Sequence, residues 1–319
     1  MQFTDVLIIV GICLAATALA TLVTAYVSFR MTFYVSKKMR DEYKNTEFPI
    51  PHGEIYEVHS EKMIHWMKKL VTLPRKDVEI KSFDGLTLRG KFYEYEPGAP
   101  MELLFHGYKG SAKRDLNGAV GRCFALGRSA LIVDHRGSGE SEGKVITFGI
   151  NESRDALTWI DYIIENIDKD ARIFISGVSM GAATVMITAG KELPKNVVGA
   201  VADCGYTSAK AIIKKVIRDM KLPPSIMYPF VKLGAKIFGK FDLEETSPLE
   251  SVKNAKIPII FFHGDADDFV PWDMSKENFE ACASEKRFVT IHGAGHGLCY
   301  LHDKEAYLQA LREFYHYVH

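Results

Sequence analysis

Gly177-Val178-Ser179-Met180-Gly181 follows directly on the apolar run Ala171-Arg172-Ile173-Phe174-Ile175-Ser176, and the small residues Ala182-Ala183-Thr184-Val185-Met186 come next. A β-branched, aromatic run that stops at a glycine and resumes as a helical pattern predicts strand, sharp turn and helix, the context of a nucleophile elbow. Such a turn drives its central residue toward an unfavourable backbone conformation. Glycines two positions to either side relieve crowding and let strand and helix approach. The product is a serine hydroxyl held above the strand ends, with the next backbone N–H free. The competing reading makes Ser179 a simple helix N-cap.

The same five-residue pattern occurs a second time, at Gly139-Glu140-Ser141-Glu142-Gly143, and serves as an internal control. That copy follows the polar loop Asp134-His135-Arg136-Gly137-Ser138, has no strand running into it, and flanks its serine with two glutamates. Carboxylates there oppose the negative charge that builds up in acyl transfer. Context therefore selects Ser179 as the nucleophile and leaves Ser141 as a loop serine.

Around this motif, apolar runs alternate with helical patterns. The runs are Glu102–Phe105, Ala130–Val133, Arg172–Ser176, Val197–Ala202, Ile257–Phe262 and Phe288–Ile291. Helical segments start near Ser111, Asn151, Ser179, Ser208, Pro271 and Tyr300. Fully apolar strands alternating with helices predict an α/β fold, a mainly parallel sheet covered on both faces. Ahead of them, Asp77–Ser82 and Leu86–Tyr95 read as strands joined by the turn Phe83-Asp84-Gly85, adding an antiparallel edge.

An acyl-transfer serine needs a base, a group to orient that base, and donors for an oxyanion. In an open α/β sheet these sit on loops at the carboxyl ends of strands. After Phe262 comes His263-Gly264-Asp265-Ala266-Asp267-Asp268-Phe269-Val270-Pro271, where any of three aspartates suits the orienting role. After Ile291 comes a glycine-rich loop that projects His296 as the base. His106-Gly107-Tyr108 ends an earlier strand, and its glycine permits close backbone approach. The N–H of Tyr108 can then pair with that of Met180 as an oxyanion hole, or the segment is only a strand-to-helix turn.

The motifs His106-Gly107-Tyr108, Asp134-His135-Arg136-Gly137-Ser138-Gly139-Glu140-Ser141, Gly177–Gly181, His263-Gly264-x-x-Asp267-x-x-Val270-Pro271 and Gly295-His296-Gly297 run in this order. In that order they resemble the α/β-hydrolase superfamily, in the branch of serine aminopeptidase-type and bacterial esterase-like hydrolases. The resemblance covers about residues 76–319. It implies Asp267 as the acid, leaving Asp265 and Asp268 as loop residues. It also implies Tyr108 and Met180 as the oxyanion donors, a short variable cap at about 205–247, and no cofactor or metal. The expected reaction is hydrolysis of a small-molecule ester through Ser179, His296 and Asp267. A peptidase, a thioesterase or an acyltransferase would use the same triad, and a non-catalytic binding protein could share the fold.

The chain of 319 residues carries 40 Lys plus Arg against 40 Asp plus Glu, so no global field recruits nucleic acid. Its five cysteines lack C-x-x-C pairing and read as free thiols, which suits a reducing compartment. From Val6 to Phe29 there is no charged residue, long enough to cross a bilayer as a helix. Ala18-Leu19-Ala20 resembles a signal-peptidase site, but no lysine or arginine precedes the stretch and it continues well beyond those alanines. Arg30, Lys37, Lys38 and Arg40 follow it, which by the positive-inside rule puts the large C-terminal portion in the cytoplasm.

The expected organisation is thus a transmembrane anchor at 1–30, a charged and irregular juxtamembrane linker at 31–75, and a hydrolase domain at 76–319. Within the linker, Ile55, His59, Met63, Trp66, Met67 and Leu70 recur at helical spacing and predict an amphipathic helix packed on the main domain. In the cap, Lys210, Lys214, Arg218 and Lys221 are expected on one helical face, with Ile213, Val216, Ile217 and Met220 on another. The basic face reads as solvated, or alternatively as turned toward an anionic leaflet or acyl substrate.

Overall fold

The computed structural model describes residues 2–318, without the side chains of Tyr43 and Lys44. Eight strands form one sheet: β1 (Lys76–Lys81), β2 (Thr87–Tyr93), β3 (Met101–Phe105), β4 (Ser129–Val133), β5 (Ile173–Val178), β6 (Val197–Asp203), β7 (Ile259–Gly264) and β8 (Lys286–Ile291). Their order across the sheet is β1-β2-β4-β3-β5-β6-β7-β8. Only the pairings of β2 with β1 and with β4 are antiparallel. The apolar runs explain this placement: β3, β4 and β7 are buried at every position, as strands covered on both faces must be. The β1–β2 edge alternates instead, and closes through a turn in which Gly85 takes φ +88°.

Helices ahead of and between the strands supply the cover. They are α1 (Phe3–Thr32), α2 (Lys37–Asn45), α3 (Glu54–Glu57), α4 (Ser60–Thr72), α5 (Ala112–Asp115), α6 (Ala119–Ala125), α7 (Ile150–Asn166) and α8 (Met180–Ala189). Beyond β6 follow α9 (Ala209–Asp219), α10 (Pro224–Gly234), α11 (Pro248–Val252), α12 (Trp272–Ala281), α13 (Cys299–His302) and α14 (Lys304–Tyr317). On one sheet face, Trp159 and Ile163 of α7 and Val185 of α8 pack on Leu103, Ile175 and Phe261. On the other, Phe174, Val201 and Phe262 meet Tyr307, Leu311 and Phe314 of α14.

The segment expected to be an irregular linker is woven into this body. Val35 N–H donates to the Lys144 carbonyl and Ile146 N–H to the Phe33 carbonyl, both at 2.9 Å, so Tyr34 forms an antiparallel bridge with Val145 directly after α1. The amphipathic helix forms as α4 and buries Met63, Met67 and Leu70, with Met63 and Met67 against Leu298 and Leu301. The helix α1 is long and apolar enough to cross a membrane. Its last turns are nevertheless part of the fold: Ala25, Ser28 and Phe29 are buried. The cause is a close helix crossing at Gly234 of α10, where even a Cβ would stand 2.4 Å from the Ala25 carbonyl oxygen.

The cap differs in detail from the helical-face expectation. In α9, Ile213 and Ile217 are buried, but so are Ala209 and Ile212, whereas Met220 is half exposed. The α9 helix stops at Asp219, so Met220 falls off the buried stripe at the fraying end. Part of the basic face is also neutralised: Lys210 pairs with Glu244 at 3.3 Å, and Glu244 in turn holds Lys232 of α10 at 2.8 Å.

Candidate active site

Ser179 caps the N-terminus of α8 with φ 57° and ψ −115°, a conformation that costs a non-glycine residue on the order of 1–3 kcal/mol. Close approach holds it there. A Cβ on Gly177 would lie 2.3 Å from the Gly181 backbone, and one on Gly181 would lie 2.2 Å from the Phe105 carbonyl oxygen. Both glycines are needed for clearance, which is what the spacing of the motif predicts. A backbone bond from Ser179 N–H to the Asp203 carbonyl, 2.8 Å, ties the turn to β6.

The elbow brings Ser179 to the other two predicted residues. His296 Nε2 lies 2.9 Å from Ser179 Oγ, and His296 Nδ1 lies 2.7 Å from Asp267 Oδ2. Asp267 is fixed in turn: its Oδ1 accepts from the N–H groups of Phe269 and Val270, at 3.0 and 2.8 Å. Burial alone raises such a carboxyl, but hydrogen bonds from His263 and then His296 hold Asp267 well below the ordinary carboxylate range. It therefore stays an anion at neutral pH, suited to orient an imidazole and stabilise its cation.

The expected donors flank the same point. Met180 N–H heads α8, so it has no intrahelical acceptor. Among the described residues no hydrogen bond is formed by Met180 N–H or by Tyr108 N–H. The loop bearing Tyr108 is shaped by Asp115, whose Oδ2 accepts from Gly107 N–H at 3.1 Å. Tyr108 itself packs on Phe148 with ring centroids 5.1 Å apart.

Ser141 sits elsewhere and is fully engaged. Its Oγ donates to the Asp134 carbonyl at 2.7 Å and accepts from Arg89 N–H at 2.9 Å, pinning its loop to β2. Asp265 binds His292 and Gly293 N–H, away from the serine. Cys204 Sγ approaches Asp267 and His296, a grouping with the spacing of a metal site. Its chemistry does not suit one: burial pushes the Cys204 thiol far above its usual range, and both Asp267 oxygens already accept hydrogen bonds.

Two supports escaped the sequence reading. His263 stands 3.2 Å from Asp267 Oδ2, a second imidazole on the acid, and its i,i+4 spacing within the His263-Gly264-x-x-Asp267 motif was the available signal. Tyr56, from α3, donates from its hydroxyl to the His296 carbonyl at 3.0 Å, across 240 positions of sequence that no local pattern connects.

A cavity of about 720 Å³ opens beside Ser179. The protein resembles known chains over this same region. A family model for serine aminopeptidases of the S33 type matches residues 101–247, which include Tyr108, Ser179 and Met180 but end before Asp267 and His296. The Pyrococcus furiosus esterase Pf2001 superposes with a TM-score of 0.65 at 23% identity, covering 83% of this chain and 95% of that one. This chain has the α/β-hydrolase fold. Est1E of Butyrivibrio proteoclasticus, solved with ferulic acid, matches with a TM-score of 0.58 at 23% identity over 74% of this chain and 97% of that one. By sequence the chain is 26% identical to the protein YqkD of Bacillus subtilis over 59% of its own length and 62% of YqkD. It is 25% identical to protein bem46 of Schizosaccharomyces pombe over 74% of this chain and 75% of that protein.

Proposed function

We propose that this α/β-hydrolase is a serine hydrolase that cleaves a carboxylic ester at the surface of a membrane. The observation that carries the reading is the unbroken chain Ser179 Oγ, His296 Nε2, His296 Nδ1, Asp267 Oδ2, with contacts of 2.9 and 2.7 Å. In this reading Ser179 Oγ attacks the ester carbonyl carbon while His296 takes its proton. The N–H groups of Tyr108 and Met180 stabilise the oxyanion, and the imidazolium returns the proton to the departing alcohol. Water, activated by the same imidazole, then cleaves the acyl-enzyme and releases the acid.

The membrane part rests on α1, apolar and exposed over its first turns, and on the cations Arg30, Lys37, Lys38 and Arg40 that follow. Those cations favour a cytoplasmic hydrolase domain. Burial of Ala25 and Phe29 in the body argues against loss of this helix as a cleaved signal.

Fluorophosphonate labelling and p-nitrophenyl ester turnover test the reading. Ser179→Ala should lose both, whereas Ser141→Ala should keep both. Undiminished labelling of Ser179→Ala would reject the assignment.

A further inference from the structure

The cavity beside Ser179 is not built by the hydrolase fold alone. Its outer wall and roof come from the juxtamembrane segment that precedes β1: Ile55, Tyr56, Met63 and Trp66 line it together with Leu104, Leu116 and Tyr300. This roof is fastened rather than resting loosely. Tyr56 is bonded to the backbone of His296, Lys62 Nζ donates to the Leu301 carbonyl at 3.0 Å, and the Trp66 ring lies 5.5 Å from that of Tyr300. Gly118 leaves the space that the Trp66 indole fills, since a Cβ there would stand 2.5 Å from the ring. The Ile55 side chain reaches over Gly295, next to the candidate base.

The lining also includes charged residues. Arg122 and Asp203 also line it, both almost wholly buried, and among the described residues Arg122 Nε and Asp203 Oδ1 have no hydrogen-bond partner. Arg122 is otherwise engaged with Glu102 and, at 3.3 Å, with Ser176 Oγ. An apolar chain entering past Ser179 is welcomed by the roof and walls.

We propose that this chamber takes the acyl chain of the substrate, that the size of the chamber limits the length of that chain, and that Ile55 and Trp66 of the juxtamembrane segment determine this specificity. The inference rests on the reading of Ser179 as the nucleophile. It assigns a substrate class, esters of apolar acyl chains small enough for this chamber, and gives the segment between span and sheet a direct part in substrate recognition. A cavity of about 720 Å³ lies within the range that buries a ligand of this size.

The test is a series of p-nitrophenyl esters from acetate to palmitate on the full-length protein in detergent. The wild type should gain roughly threefold or more in kcat/KM per methylene from butyrate to octanoate, as burial of each group allows, and fall again by palmitate. Ile55→Asp places a carboxylate at the partly exposed edge of the wall, where it can be carried without unfolding. Trp66→Ala removes the roof. Each should lower the octanoate-to-acetate ratio of kcat/KM at least tenfold. A wild-type profile that is flat or declines steadily from acetate, or variants that slow both esters equally, would overturn the chamber assignment while leaving the nucleophile intact. Absence of turnover and of fluorophosphonate labelling in the wild type would instead overturn the reading of Ser179, and this inference with it.

Discussion

The hydroxyl of Tyr108, whose N–H is a candidate oxyanion donor, donates a 2.5 Å hydrogen bond to the carbonyl of Thr32, the last residue of α1. Lys109 Nζ makes a parallel bond to the Met31 carbonyl at 2.7 Å. The C-terminal carbonyls of a helix lack intrahelical partners and carry partial negative charge, so these donors suit them. One helix therefore reaches from the apolar, exposed N-terminal turns to the loop that shapes the candidate active site.

Truncation separates the two parts of α1. Deleting residues 2–20 removes exposed apolar turns and should move the protein from the membrane pellet to the soluble fraction with its labelling rate unchanged. Deleting 2–32 also removes buried Ala25, Ser28 and Phe29 and both loop bonds. The expected result is a lower melting temperature and labelling slowed at least tenfold. Phe29→Ala alone should cost about 3 kcal/mol in urea unfolding, the usual loss for a buried aromatic. Equal behaviour of the two deletions would show that α1 is an anchor only.

Asp267→Asn tests the positioning of His296. The amide keeps the shape but gives up the anion that faces both His296 and His263. Ester turnover should fall on the order of 10³-fold or more at neutral pH, as wrong imidazole tautomers do in other triads. The sign of the acid response follows from the depressed carboxyl: its pairing stabilises the fold fully above the ordinary carboxylate range and is lost as pH falls through and below it. The variant should therefore show a shallower loss of stability below about pH 4 than the wild type. Identical acid unfolding curves would remove this account.

Much of this was legible in the sequence, for definite reasons. The strand runs are apolar on both faces, so β3, β4 and β7 stood out without periodicity; the loops after the strands put forward His296 and three aspartates, of which only the family resemblance singled out Asp267. The elbow was distinguishable from its copy because Ile173–Ile175 precede one and Asp134–Ser138 the other. What was not legible depends on contacts distant in sequence. The pairing of residues 33–35 with 144–146, the seat of α1 on Gly234, and the Tyr56 bond to His296 leave no periodic trace. Charge hid the linker's structure as well: α2 is rich in Lys, Arg, Asp and Glu, and such a helix is visible only through its Ser36 cap.

Two buried histidines predict a second pH effect. His106 Nε2 accepts from His135 N–H at 3.0 Å, and the rings meet edge to face with centroids 4.6 Å apart. Burial lowers His106 to about 4, and burial and then its neighbour lower His135 to about 3, so both are neutral in the fold. Unfolded, each takes a proton near pH 6.5. Between pH 6.5 and about 4 the unfolded chain binds more protons, so stability falls as pH falls. His106 alone should account for up to about 3 kcal/mol across that window. Urea midpoints at pH 7 and pH 5 check it, and a midpoint that is unchanged at pH 5 would contradict it.

Two glycine-to-alanine changes should have opposite effects, because one glycine is needed for space and the other is not. At Gly181 the added methyl would lie 2.2 Å from the Phe105 carbonyl oxygen and 2.7 Å from its carbon, both rigid backbone of β3. Helix α8 must then move away from the sheet, carrying Met180 N–H and the Ser179 turn with it. Gly181→Ala should lose fluorophosphonate labelling and cost 3 kcal/mol or more, in the range of a severe core overpacking. Gly121 lies on the exposed side of α6, where a Cβ meets nothing within 4 Å. There the alanine removes backbone freedom from the unfolded chain at no steric cost, so Gly121→Ala should stabilise by about 0.5–1 kcal/mol. Thermal melts of both variants decide it: a tolerated Gly181→Ala would mean that the elbow is looser than these distances require.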